Sequence, residues 1–298
     1  MSTHARATIG FVPREAFSQT KRSLETIFAR TKGPFKLVCI DGGSPPIVKQ
    51  YLEQASREKG FVLLRTDDYL IPNHARNLVL DHVNTEYVVF VDNDVLVAPG
   101  WLDALVRCAD ETGAWLVGPL YFESEPECTR LHMAGGICHI IQLPDGSRSL
   151  VEKHYYAHVK LTSLEVELDR RETELIEFHT LLGSMQAFAK LGRLDPNLSL
   201  SEHADLCLQV RAAGKSVFLE PTAAVTYLPP TQANRSDSKY FQFRWSEEWA
   251  ERTIARLQEK YQLSEADPEM AGLRQWVNHH RSRMSSNRWW LPKIMRLG

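Results

Sequence analysis

Two stretches of the sequence gather residue types that can do chemistry. The first is EYVVFVDNDVLVAPGWL, residues 86–102, where an apolar run ends in Asp92 and Asp94 with Asn93 between them. Paired carboxylates at a strand end can hold a hard divalent cation through oxygen, leaving positions for water and phosphate. As a bare pattern the same residues also make an ordinary solvated turn. The second stretch is SLSEHADLCL, residues 199–208. Here Glu202 and Asp205 share one face of a nascent helix and His203 stands beside them. An acid or an imidazole at that place suits a general base that takes the proton of an attacking hydroxyl. The plain alternative is a helix start, with Ser199-x-x-Glu202 as a capping box and Asp205 as a first-turn acid favoured by the helix dipole.

The elements that must position these residues follow from the pattern of apolar runs. In the first half, ATIGFV (7–12), FKLVCID (35–41), FVLLRT (61–66), EYVVFVD (86–92) and AWLVGPL (114–120) alternate with helix-like segments near 17–30, 46–58, 74–83 and 99–112. Continuous apolar strands separated by helices predict an α/β fold, a mostly parallel sheet covered on both faces. Ligands of such sheets gather beyond the carboxyl ends of the strands, which places Asp41, Thr66, Asp67, Asp92 and Asp94 on one rim. The second half is less regular. MAGGICHIIQLPDGSRSL reads as two strands around a Pro-Asp-Gly turn, KHYYAHVK as a loop and the charged EVELDRRETE as an exposed helix. LIEFHTLLGSMQAFAKLG predicts a strand and a helix ending at Gly192, residues 202–214 a helix stopped by Gly214, and KSVFLEPTAAVTYLPP two short strands. From about residue 245 the pattern is helical and Trp-rich.

Composition narrows the classes. The 298 residues are 43% hydrophobic and 24% charged with a net charge of −2, ordinary for a globular enzyme and without the basic field that nucleic acid requires. Cys39, Cys108, Cys128, Cys138 and Cys207 form no CxxC pair, so they read as reduced thiols. With no signal-peptide stretch and no run of about 18 apolar residues, a cytoplasmic location is expected.

Taken in order, VCIDGGS, LIPNHARNLVL, EYVVFVDNDVLVAPGWLDALV and SEHADLCLQVRAAGKSVFLEP resemble the successive motifs of family 2 glycosyltransferases of GT-A fold, over residues of about 7 to 228. The resemblance implies a Rossmann-like GT-A domain at 1–240, with a nucleotide-sugar-binding half at 1–120 and an acceptor-binding half at 121–240, followed by a helical C-terminal extension at 241–298. It implies transfer of a sugar from a nucleoside diphosphate to a hydroxyl acceptor (glycan, lipid-linked or small molecule), usually with inversion and with Mn2+ or Mg2+. Carried over by motif, Asp41 contacts the nucleoside, Arg76 and Asn77 lie beside the donor, Asp92 and Asn93 face the nucleoside end and Asp94 binds the metal. The base comes from Glu202, His203 or Asp205, with Glu202 preferred.

Two departures stand out. The usual pattern is E-D-x-D-L, and His203 takes the place of its second acid. Tyr227 stands where the family often has a His ligand, and neutral Tyr is a poor ligand for Mg2+ or Mn2+. His154 and His158 read as an aromatic acceptor loop, and His132 and His139 as strand histidines that remain acceptor-site candidates. In the tail, Arg281, Arg283, Arg288, Trp289, Trp290, Lys293 and Arg296 suit an anionic membrane surface, or else the Trp pair packs on the domain or on a second copy in a homodimer. Rival readings are a sugar-nucleotide nucleotidyltransferase, which lacks its Gly-rich loop here, and a non-catalytic nucleotide-sugar-binding module. A dehydrogenase has no GxGxxG after a strand.

Overall fold

The computed structural model describes residues 4–229 and 235–285. Its strands are β1 (Ala7–Val12), β2 (Lys36–Gly42), β3 (Val62–Thr66), β4 (Tyr87–Asp92), β5 (Val95–Val97), β6 (Leu116–Glu123), β7 (Leu131–Met133), β8 (Gly136–Gln142), β9 (Arg148–His154), β10 (Arg171–Thr173), β11 (Thr180–Ser184) and β12 (Val217–Tyr227). Its α-helices are α1 (Thr20–Arg30), α2 (Pro46–Lys59), α3 (Pro72–Leu80), α4 (Trp101–Thr112), α5 (Met185–Leu191), α6 (Glu202–Ala212), α7 (Arg235–Arg244), α8 (Glu247–Tyr261) and α9 (Pro268–Ser285).

The main sheet runs β10-β12-β6-β11-β4-β1-β2-β3, with β5 on β12 and β7 on β6, and β8-β9 form a separate hairpin. Strands β3, β2, β1 and β4 are mutually parallel, as the βα alternation predicts. All six residues of β1 and five of the six of β4 are buried, the mark of strands covered on both faces. Antiparallel β11 sits between β4 and β6 and joins the two halves of the chain into one sheet. At Gly10 a Cβ would meet Val79 Cγ1 at 2.6 Å, so only glycine lets α3 lie this close to β1. That approach, with Pro72 opening α3 at a position where a missing N–H costs nothing, sets Arg76 one turn into the helix and over the sheet.

Two readings of the second half are corrected. EVELDRRETE forms no helix: its end is β10, paired with the β12 edge. Arg170 there reaches Glu220 at 2.5 Å, so the charges that suggested a solvated helix face are used across strands. KSVFLEPTAAVTYLPP is one strand rather than two, with a register shift between Glu220 and Ala224 where Pro221 and Thr222 leave the ladder. The α6 capping box is absent too. Ser201, at φ 48°, precedes the helix without a side-chain cap bond, and the Ser199 amide donates to Thr253 Oγ1.

The C-terminal helices pack on the sheet domain. Phe241, Trp245, Ala250 and Val277 form a core with Leu200. The expected boundary at 240 falls inside α7. Arg281 pairs with Glu247 at 2.9 Å. Residues Arg288, Trp289, Trp290, Lys293 and Arg296, and the Arg283 side chain, lie outside the described residues. Among the described residues no helix is long and apolar enough to cross a membrane.

Candidate active site

The loop after β1, the end of β9, the residues entering β11 and the start of α6 line a cavity of about 440 Å³, together with residues of α7 and α9. Beneath it lies a buried charge network. Arg76 is fully buried: Nη2 donates to Asp92 Oδ1 at 3.1 Å and Nη1 to Glu202 Oε1 at 3.1 Å, while the guanidinium lies 3.8 Å over the Phe178 ring. Arg14, from the loop after β1, is 3.2 Å from Glu202 Oε1 and 3.7 Å from Asp92 Oδ2. Arg244 of α7 adds a third guanidinium 3.6 Å from Glu202 Oε1 and donates to the Ser199 carbonyl. Burial alone would raise the Glu202 pKa, but Arg244, Arg14 and Arg76 outweigh it and pull it down to about 2. A carboxylate so held has little affinity for a proton.

The two acids of the DND stretch are in different states. Burial pushes Asp92 up, yet Arg76, His179 and Arg14 hold it below its ordinary value. Asp94 is fully buried, and neither of its carboxylate oxygens has a hydrogen-bond partner among the described residues. Burial, then Asp92 and Glu15, push its pKa well up. Asp92 Oδ2 and His179 Nδ1 also lack hydrogen-bond partners among the described residues, at 3.5 Å from each other. Orphaned buried polar atoms are uncommon in native proteins. Donor atoms of Asp92, Asp94 and His179 lie within 4.8 Å of one another, and two carboxylates with one imidazole fit Mn2+ or Mg2+. The missing histidine at position 227 thus has a spatial counterpart: the Tyr227 ring stacks on His179 at 4.1 Å, and its hydroxyl donates to Glu15 at 3.0 Å.

Beyond His179 the cavity wall is made of alternating imidazoles and carboxylates. His203 Nε2 lies 3.0 Å from Glu152 Oε1, and His132 Nε2 lies 2.9 Å from Glu177 Oε2. Burial alone would lower the His203 pKa, but Glu152 and Glu177 leave it raised. Burial works against His132 as well, yet Glu177 and Glu123 push it to about 10. His154 and His158 join the same wall, His158 at 2.8 Å from Glu123. His139 does not; it pairs with Glu174 at 2.7 Å, away from the cavity.

Other expected site residues are engaged in holding backbone and helices. Asp41 accepts from the Ser44 amide at 3.1 Å and pairs with Arg65. Asn77 spends both ends of its amide on the Leu194 backbone. Asn93 accepts from the Arg14 amide at 2.9 Å and donates to Thr20 Oγ1 at 3.0 Å, so it shapes the loop that presents Arg14 and Glu15. Asp205 points away from the cavity and binds Tyr261 and Lys260 of α8, each at 2.6 Å. Sequence reasoning missed Arg14, Glu15, Glu152, Glu177, His179 and Arg244. A signal was present for three of these, Glu152, Glu177 and His179: Glu152-x-His154 and Glu177-x-His179 repeat an E-x-H spacing in extended segments, which puts acid and imidazole on one face.

The fold is shared with enzymes solved with nucleotides. GalNAc-T7 with UDP, GalNAc and Mn2+ aligns with a TM-score of 0.59 at 16% identity, over 92% of this chain and 54% of that one. The mannosyltransferase PcManGT from Pyrobaculum calidifontis, in complex with GDP-Man and Mn2+, aligns at 0.55 and 13% identity, over 96% of this chain and 72% of that one. S. aureus TarS 1-349, in complex with UDP, aligns at 0.51 and 12% identity, over 95% and 82%. These likenesses define the architecture as GT-A. The description Glycosyl transferase family 2 matches residues 15–166, about half of the chain, and the protein belongs to that family. The Succinoglycan biosynthesis protein ExoM of Rhizobium meliloti (strain 1021) is 27% identical over 128 residues, 41% of this chain, and the match spans only 40% of that relative's length.

Proposed function

We propose that this glycosyltransferase moves a sugar from a nucleoside diphosphate donor to a hydroxyl acceptor by single displacement with inversion, with His203 as the base. The observation that carries this reading is the His203–Glu152 pair at 3.0 Å, which opens on the cavity while Glu202 is locked by three guanidinium groups. Glu152 orients the imidazole and stabilises the imidazolium formed when the acceptor hydroxyl loses its proton. Glu202 then anchors Arg14, Arg76 and Arg244. Arg14 and Arg244 line the cavity and supply positive charge for the diphosphate as it leaves. Asp92, Asp94 and His179 would hold Mn2+ or Mg2+, which when bound neutralises diphosphate charge. Asp41, Asn77 and Asn93 act by fixing the loops around the donor, and Asp205 by fixing α6 against α8. The donor half (1–120) and acceptor half (121–240) meet at this cavity, and the helical extension completes it. Polysaccharide building is the setting that the likeness to ExoM supports.

The test is an assay of nucleoside diphosphate release from UDP-, GDP- and dTDP-sugars with candidate glycan acceptors, followed by NMR of the product's anomeric configuration. His203→Ala should lower kcat by about 10²–10⁴-fold, the usual contribution of a general base, with donor binding intact. Full turnover in that variant, or retention of configuration, refutes the reading.

A further inference from the structure

We infer that Glu152, His154, Glu177 and His203 form a binding site for a tetrahedrally coordinated transition-metal ion of the Zn2+ class, separate from the Asp92–Asp94–His179 group. Donor atoms of Glu152, His154 and His203 lie within 4.8 Å of one another, and Glu177 Oε1 stands against both imidazoles. His203 Nε2 is 3.0 Å from Glu152 Oε1 and 3.9 Å from Glu177 Oε1. His154 Nε2 is 3.7 Å from Glu152 Oε1 and 3.4 Å from Glu177 Oε1. Zinc bonds to imidazole and carboxylate of about 2.0–2.2 Å give a tetrahedron with edges of roughly 3.3–3.6 Å. The four His–Glu distances bracket that value; Glu152, His154 and His203 stand ready to take three positions, and Glu177 takes the fourth by moving toward Glu152.

The backbone supports such a site. Glu152 and His154 project from one face of β9, Glu177 lies in the extended chain entering β11 and His203 is in the first turn of α6. The second oxygen of Glu177 is held by His132 at 2.9 Å and His179 at 3.3 Å, the kind of support that fixes a ligating carboxylate. All four ligands line the cavity, so an ion has a path to them. The donor set also differs in kind from its neighbour. Two imidazoles with two single carboxylate oxygens suit Zn2+ or Co2+, whereas the oxygen-rich Asp92–Asp94–His179 group suits Mg2+ or Mn2+. An ion here takes the Nε2 lone pair of His203. If His203 is the base, as proposed above, Zn2+ is then an inhibitor of transfer; metal binding itself does not depend on that reading.

The experiment is Co2+ titration of the chelator-stripped full chain, followed by visible absorption. The expected result is the intense band of tetrahedral Co2+, displaced by Zn2+, retained in Asp94→Asn and lost in His154→Ala. No tetrahedral band in the native chain overturns the inference, and so does a band lost in Asp94→Asn or kept in His154→Ala. Should His154→Ala not fold, the native chain and Asp94→Asn still decide. Zn2+ is then added to the transfer assay with Mn2+ present. A bound tetrahedral ion without inhibition removes His203 from the base role and leaves the site standing.

Discussion

Replacing Asp94 by Asn should make the metal-free protein more stable and the ligand-bound protein less so. Both oxygens of Asp94 are buried without hydrogen-bond partners among the described residues, and Asp92 and Glu15 are like charges beside it. A buried polar group left unpaired costs on the order of 1–3 kcal/mol, and more when charged. Asp94→Asn keeps the shape and removes the acid, so the fold no longer has to bury a charge or hold a proton that the unfolded chain would release. In chelator-treated protein the melting temperature is therefore expected to rise by several degrees, since 1 kcal/mol moves a domain of 150–250 residues by roughly 2–4 °C. With Mn2+ and a nucleotide sugar at about 100 times Kd, the native chain gains about 2.7 kcal/mol by mass action. The variant gains little of this, so the order of stability reverses. Calorimetric melts of both proteins, stripped and loaded, read the crossover. A variant that melts lower than the native chain when stripped, or that keeps the full ligand-dependent rise, refutes the view of Asp94 as an acid waiting for a cation.

Arg76→Met should cost about 3–5 kcal/mol in denaturant unfolding, because it strips Asp92 and Glu202 of a fully buried guanidinium partner. Asp205→Ala should leave kcat within a few fold and lower stability by about 2–4 kcal/mol, the loss of charged hydrogen bonds to Lys260 and Tyr261; a collapse of kcat in well-folded protein would return Asp205 to the chemistry. Glu269 is pushed to about 7 by burial, Glu152 and Asp267. The folded state then holds the proton more tightly than the unfolded chain, so stability is full below the free Glu value of about 4.3 and is lost as pH rises toward 7. In Glu269→Gln that loss should be absent from melting curves taken between pH 4 and 7.

The first half of the fold was legible because its signals are local. The apolar runs that became β1 to β4 and the helices α1 to α4 each declare themselves within a few residues. β5 and β7 escaped because three residues show no period. β10 was misread because nothing in RRETE announces the β12 edge that pairs with it. Toward the site, the DND stretch and Glu202 stand out from their own surroundings in the sequence. What could not be read was their company. Arg14, His179 and Arg244 come from a loop, a strand entry and a late helix, and only the closed sheet brings them to Asp92 and Glu202. The preference for Glu202 as base rested on residue type, and three guanidinium neighbours change what that type can do.

The charge network also bears on how the chain acquires its activity. Its members stand at positions 14, 76, 92, 202 and 244, so the bonds from Glu202 to Arg76 and Arg14 span 126 and 188 residues. Contacts of such sequence separation carry a large loop-closure cost and form late. On the ribosome the sheet from β1 to β4 can assemble long before Glu202 and Arg244 emerge, and until they do Arg14, Arg76 and Asp92 must stay hydrated at its edge. The charge network is therefore completed only after α7 has been made, and a nascent chain that stalls before α7 lacks the Arg244 partner of Glu202.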